Sequence, residues 1–234
     1  IVDRITLKQL NTFVGRWLEY SYTEALIHGN MLADEATALV NDVQDIMKFE
    51  PLFAEQRNPQ RIVKFDNATF LRAIDHPNED DENSGMISMF PLGILSEDEV
   101  VLMNLVRQII ATPFFTELRT KQQIGYSVWV TTQRFENVRG IRFILQSKDR
   151  YPDYIVKRLN IFLESFVQTL KDLPDEDFSN HVTGLITQYE EKDKNLMERG
   201  SKIWLEISTR DFHWKRVQMA VKYLHKVTKD DVIN

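Results

Sequence analysis

The sequence predicts an α+β fold, a mostly antiparallel sheet packed against several helices. Three observations carry the prediction. Apolar residues recur at helical spacing toward both ends, as Leu7, Leu10, Val14, Trp17 and Leu18 do early and Ile155, Leu159, Phe162, Phe166 and Leu170 do late. In the middle the period falls to two, most plainly at Ile141, Phe143 and Leu145. The strand-like runs follow one another through turn signals, which favours hairpins over βαβ units.

Each element has its own signal. Thr6 with Gln9 is a capping box ahead of the first helix. Residues 23–28 form a short β-like run ending at the turn pair Gly29-Asn30. Ala36, Leu39, Val40, Val43, Ile46 and Met47 then share one face of a second helix. Residues 49–60 lose periodicity around Pro51, Arg57, Asn58 and Pro59 and read as a linker. Residues 61–65 and 68–75 are expected to form a hairpin about Asp66-Asn67, with an acidic loop over 76–82 and a third strand over 84–90. Ser96 with Glu99 makes a second capping box. It opens a helix over 97–111 that is apolar nearly all round and therefore central. Pro113 is expected to restart the chain into a short helical segment over 114–122. Strands follow over 126–132 and 138–147. Pro152 suits a first helical turn. Pro174 opens another helix, carrying Phe178, Val182, Leu185, Ile186 and Tyr189, and two more cover 196–209 and 214–224.

Composition narrows the function. The 234 residues carry 29 Lys+Arg against 35 Asp+Glu, a formal net charge of −6. This acidic balance argues against a sequence-independent grip on nucleic acid, so no nucleic-acid partner is expected. No apolar run approaches the roughly 18 residues of a membrane span. The absence of cysteine excludes disulfide scaffolds, thiol catalysis, iron–sulfur clusters and thiolate zinc sites, and leaves cytosol and periplasm both open. At roughly 150 residues per domain the length suggests one domain and a fraction. The opening residues Ile-Val-Asp-Arg-Ile-Thr lack Met and signal-peptide features, and read as a stretch cut from something longer.

Most catalytic signatures are absent. The eight glycines are nowhere closer than eight residues apart, so neither a dinucleotide fingerprint nor a phosphate loop can be built. There is no Gly-x-Ser-x-Gly elbow. A zinc peptidase needs two histidines that face one metal with a Glu beside them. None of His28, His76, His181, His213 and His225 has a His four residues away. His76 comes nearest, with Glu79 at i+3, but Asp80 stands where the second ligand would be and Pro77 breaks the helix. No metal ligand is therefore expected in this chain. Asn67-Ala68-Thr69 is formally a glycosylation sequon, with nothing else to suggest secretion.

One segment carries chemistry. Across residues 113–126 a helical turn ends near Gln122 and Gly125 releases the chain into a strand, so Arg119 and Tyr126 flank one helix-to-strand corner. A Tyr phenol can donate a hydrogen bond, and an Arg beside it offers a fixed fork of donors. Two such donors suit an oxygen that becomes negative during acyl transfer. A structural Arg packed on an aromatic ring at a turn fits the same spacing.

Leu118-Arg119-Thr120-Lys121-Gln122-Gln123-Ile124-Gly125-Tyr126 closely resembles the Leu-Arg-Thr-(Lys/Glu)-x-Gln-Leu-Gly-Tyr stretch of the insulinase, or pitrilysin-like, zinc metallopeptidases, the inverzincins. The resemblance extends in order along the chain. Glu24-Ala25-Leu26-Ile27-His28-Gly29-Asn30 is similar to the family's Glu-Ala-Leu-Leu-His-Gly-Asn stretch, and Gly140-Ile141-Arg142-Phe143-Ile144-Leu145-Gln146-Ser147 to its Gly-Leu-Arg-Phe-Ile-Ile-Gln-Ser strand. Val227-Thr228-Lys229-Asp230-Asp231-Val232-Ile233 resembles its Leu-Thr-Lys-Glu-Asp-Ile-Ile segment. The departures are Ile124 for Leu and Trp129 in the following strand.

Long members of this family have four homologous α+β domains in two bowl-shaped halves that close over a peptide chamber. The resemblance places residues 1–57 at the end of the third domain and residues 58–234 in most of the fourth, which lacks the zinc motif. It implies that the chain is the C-terminal part of a zinc metalloendopeptidase and is inactive alone. Zinc is then expected in the N-terminal catalytic half of the same polypeptide, and peptides are the substrates. Tyr126 and Arg119 would be the catalytic contribution, hydrogen-bonding substrate and transition state, and Phe115 with Arg119 and Tyr126 would bind substrate. The resemblance leaves one alternative, a catalytically inactive scaffold or assembly subunit of the same fold.

Overall fold

The computed structural model describes residues 4–57, 61–63 and 68–233. They fall into two compact units, one of Ile1–Arg61 with Lys192–Trp214 and one of Ile62–Glu191 with Lys215–Asn234.

The first unit begins with α1, Leu7–Trp17, behind the expected capping box: the Thr6 N–H donates to Gln9 Oε1 at 2.9 Å while the Gln9 N–H donates to Thr6 Oγ1 at 3.3 Å. β1, Tyr20–Ser21, pairs in parallel with β2, Glu50–Pro51, on the far side of α2, Ala33–Met47. A parallel pair needs a crossover, and α2 supplies it. Lys48 adopts the left-handed conformation (φ 52°) to stop α2. The expected run at 23–28 forms no strand; the two paired residues lie upstream of it. α6, Leu196–Ser208, capped by Asn195, completes the unit. The Arg57 guanidinium covers the Tyr22 ring at 3.2 Å.

The second unit holds the core. β3 (Ser84–Ile94), β4 (Ser127–Phe135) and β5 (Val138–Ser147) form a fully antiparallel sheet in the order β3-β5-β4. Leu145 stands opposite both Met86 and Val128, and Phe143 opposite Val130. All five are buried, so one sheet face carries the apolar alternation predicted from the sequence. Against that face lies α3, Glu97–Phe115, capped by Ser96 and Glu99 as expected. It buries Val101, Met103, Leu105, Ile109, Ile110 and Phe114, which confirms its central place. α4 (Pro152–Lys171), α5 (Asp175–Glu190), α7 (Arg216–Leu224) and α8 (Lys229–Ile233) complete the layer. The helix expected from residue 214 thus starts at Arg216.

A chain of aromatic rings ties sheet to helices. Phe143 meets Phe90 edge-on at 5.7 Å and Phe114 at 5.1 Å; Phe114 meets Phe162 at 5.3 Å, and Phe162 stacks on Phe166 at 5.8 Å.

Two sequence expectations fail here. Residues 61–63 and 68–75 form no strand, and the rest of that hairpin, 64–67, lies outside the described residues. Alternation needs a partner to become a strand, and among the described residues the sheet takes no fourth member. Leu71 and Ile74 remain 86% and 75% exposed. Second, Pro113 does not restart the chain. α3 runs through it to Phe115 and passes directly into a π-helical turn, Thr116–Lys121. The proline's local penalty is offset by burial on both sides of it, Ile110 before and Phe114 and Leu118 after, which holds the helix in register.

Candidate functional site

The corner foreseen at Arg119 and Tyr126 is built from this π-turn. Leu118, with no exposed surface, anchors it in the core. The Gln122 N–H donates to the Glu117 carbonyl at 3.0 Å, a five-residue bond, and the Ile124 N–H donates to the Leu118 carbonyl at 3.0 Å. Gln123 turns left-handed (φ 51°) to end the helix, and Ile124 is buried again.

Gly125 then passes β5 so closely that a Cβ would stand 1.8 Å from the Gln146 carbonyl oxygen. The residue there is glycine for want of space. This contact sets Tyr126 just ahead of β4, whose first residue, Ser127, pairs with Gln146 near the end of β5.

The result brings all three predicted residues together. The Arg119 guanidinium lies over the Phe115 ring at 4.8 Å and over the Tyr126 ring at 4.5 Å. Each contact contributes about 0.5–1 kcal/mol at an exposed site. Tyr126 is 82% exposed and Phe115 40% exposed, whereas Phe114, one residue earlier, is fully buried. No acceptor among the described residues takes a hydrogen bond from the Arg119 guanidinium, and no described residue pairs with the Tyr126 hydroxyl. Ring packing thus fixes the arginine while its N–H edge and the neighbouring phenol stay available to an outside carbonyl or carboxylate.

Beneath the corner lies a polar network that sequence reasoning missed. Arg158 Nε on α4 donates to Gln122 Oε1 at 2.6 Å, and Gln122 Nε2 donates to Glu117 Oε1 at 2.9 Å. Lys121 Nζ sits 3.1 Å from the other Glu117 oxygen. The Gln122 amide, chiefly, and the Lys121 ammonium hold the Glu117 carboxyl below the usual glutamate range. The five-residue spacing of Glu117 and Gln122 is the one sequence signal of this network, and it has meaning only once a π-turn is known.

Comparison with known proteins finds homologues along nearly the whole chain. Residues 105–204, which include the corner, match the family model for PQQ synthase PqqF-like proteins, C-terminal lobe domain 4. Mouse insulin-degrading enzyme is 31% identical over 238 residues, covering 99% of this chain and 23% of the relative. The A-factor-processing enzyme of Saccharomyces cerevisiae is 29% identical over 236 residues, 100% of this chain and 23% of the relative. This chain is a homologue of the insulinase-family zinc proteases. The crystal structure of pitrilysin has the same fold, with a TM-score of 0.76 at 21% identity over 100% of this chain and 24% of that one. The chain spans about a quarter of the length of these insulinase relatives.

Zinc is named for one relative, the putative zinc protease mug138 of Schizosaccharomyces pombe, 28% identical over 232 residues, 98% of this chain and 24% of that one. The residues described in this chain do not fit zinc: among them no group of three or more His, Asp or Glu side chains is placed so that it could hold a metal ion. His76, the nearest to a ligand in sequence, turns back on its own loop, with Nδ1 2.9 Å from the Asn78 carbonyl and Nε2 3.7 Å from Asp81. Among the described helices none is long and apolar enough to cross a membrane.

Proposed function

We propose that this chain is the C-terminal, non-zinc part of a pitrilysin-like metalloendopeptidase. It walls a peptide chamber, binds extended peptide backbone, and completes the active site with Arg119 and Tyr126. Residues 1–57 close a third homologous domain and residues 58–234 form most of a fourth. The zinc-bearing N-terminal half of the same polypeptide is its partner.

One observation carries this reading: the Arg119–Tyr126 pair, fixed by ring packing, keeps its donors unspent. A phenol O–H at Tyr126 donates to the scissile carbonyl oxygen as that carbon becomes tetrahedral and charge grows on the oxygen. A single donor of this kind is worth about 3–4 kcal/mol in a transition state. Arg119 donates from its N–H edge to substrate carbonyls or a nearby carboxylate, holding the backbone in place. Phe115 offers an apolar wall to the side chain just past the cleaved bond. An inactive scaffold of the same fold has no use for such a donor pair, so the corner favours the peptidase.

The test separates the chain from its context. The complete polypeptide should cleave an internally quenched peptide in a chelator-sensitive manner, and this chain alone, with added zinc, should not. Chelator-sensitive cleavage by the isolated chain would overturn the proposal.

A further inference from the structure

The π-turn raises a question that the core does not answer. Leu118 is its only buried residue, so apolar packing fixes its depth but not its winding. Winding decides where Arg119 points, because one residue of slip between helical registers swings a side chain by about 100°.

Glu117 and Gln122 resolve it. In an α-helix, side chains five residues apart diverge by about 140° and do not meet. Here they do meet, Gln122 Nε2 donating to Glu117 Oε1 at 2.9 Å, in parallel with the backbone bond from the Gln122 N–H to the Glu117 carbonyl. The side-chain link is therefore available only in the π register. Its outer end is held by Arg158, whose Nε donates to Gln122 Oε1 at 2.6 Å. Arg158 sits on α4 between Ile155 and Leu159, both buried to within 1%, so the brace reaches a helix anchored in the core. The two charges also orient the amide, oxygen toward the guanidinium and nitrogen toward the carboxylate.

We propose that Gln122, Glu117 and Arg158 are positioning residues that lock the π-turn and so hold Arg119 between Phe115 and Tyr126. This rests on the reading of Arg119 and Tyr126 as substrate-facing groups, and adds the element that aims them.

Two measurements on the complete protein test it. The first is steady-state cleavage of an internally quenched peptide by Gln122→Ala, by the double variant Glu117→Gln with Gln122→Glu, and by Tyr126→Phe. Gln122→Ala should lower kcat roughly ten-fold or more, within the range that a misplacement of about 1 Å produces. In the double variant Arg158 still donates to the side chain at 122, while the bond between 117 and 122 is kept with donor and acceptor exchanged; it should recover kcat to within about three-fold, as correct placement restores proximity. Loss of kcat by Tyr126→Phe with Gln122→Ala unchanged overturns the positioning role and leaves the site reading intact. An equal loss in Gln122→Ala and the double variant also overturns it. The second measurement is a crystal structure of Gln122→Ala, which does not depend on activity. The turn should rewind toward α-helix with Arg119 displaced from the Tyr126 ring; an unchanged π-turn overturns the proposal whatever the kinetics show.

Discussion

Gly125 and Gln146 meet backbone to backbone at the point where the π-turn hands the chain to the sheet. A Cβ on Gly125 would lie 1.8 Å from the Gln146 oxygen and 2.8 Å from its carbonyl carbon, both main-chain atoms that cannot swing aside. Tyr126 owes its place to this contact. Gly125→Ala should therefore force β4 away from β5 and destabilise the second unit by about 3 kcal/mol, the upper end of overpacking effects. Urea unfolding checks it, and an unchanged midpoint would show that the strand can shift without loss.

Phe114 and Phe115 should separate stability from activity. Phe114 is fully buried between Phe143 and Phe162, so Phe114→Ala should cost about 3–5 kcal/mol. Phe115 is 40% exposed and touches the Arg119 guanidinium. Its removal should cost under about 1 kcal/mol while changing KM in the complete protein. Equal destabilisation by both would contradict the opposite facing of these neighbours.

Glu117 gives a pH signature. Its carboxyl is held below the ordinary glutamate value by the Gln122 amide first and Lys121 second. A carboxylate stabilised in the folded state contributes above its unfolded pKa, about 4.3. That contribution disappears as pH falls through the lowered folded value. Gln122→Ala should raise the Glu117 pKa toward the ordinary value, as followed by NMR of the side-chain carboxyl carbon. An unmoved titration would mean that the amide is not its main support.

How far these features were legible depends on how local their causes are. The two capping boxes, the central helix at Glu97–Phe115 and the β4–β5 hairpin rest on interactions within a few residues or on strict alternation, and the sequence carries them openly. The meeting of Arg119 with Tyr126 was legible as a corner because the two residues, seven apart, flank the point where a helix ends and a strand begins. Strands expected at 61–63 and 68–75 are absent because their apolar alternation promises a partner that the described sheet lacks. Pro113 misled because its penalty is local while the burial of Phe114 and Leu118 is not. Arg158 lies 36 residues from Gln122, and no periodicity points from one to the other. Gly125 could be seen as a glycine, but the carbonyl it makes room for belongs to another strand.

The most direct test of the whole account is the turnover number of Tyr126→Phe in the complete protein. The substitution removes one hydroxyl from a side chain that is 82% exposed and has no hydrogen-bond partner among the described residues, so folding should be untouched. If Tyr126 donates to the oxygen that becomes negative, kcat should fall roughly ten- to several-hundred-fold with KM little changed. An unchanged kcat would return Tyr126 to a ring that merely packs on Arg119, and the proposed contribution of this chain to catalysis would fall with it.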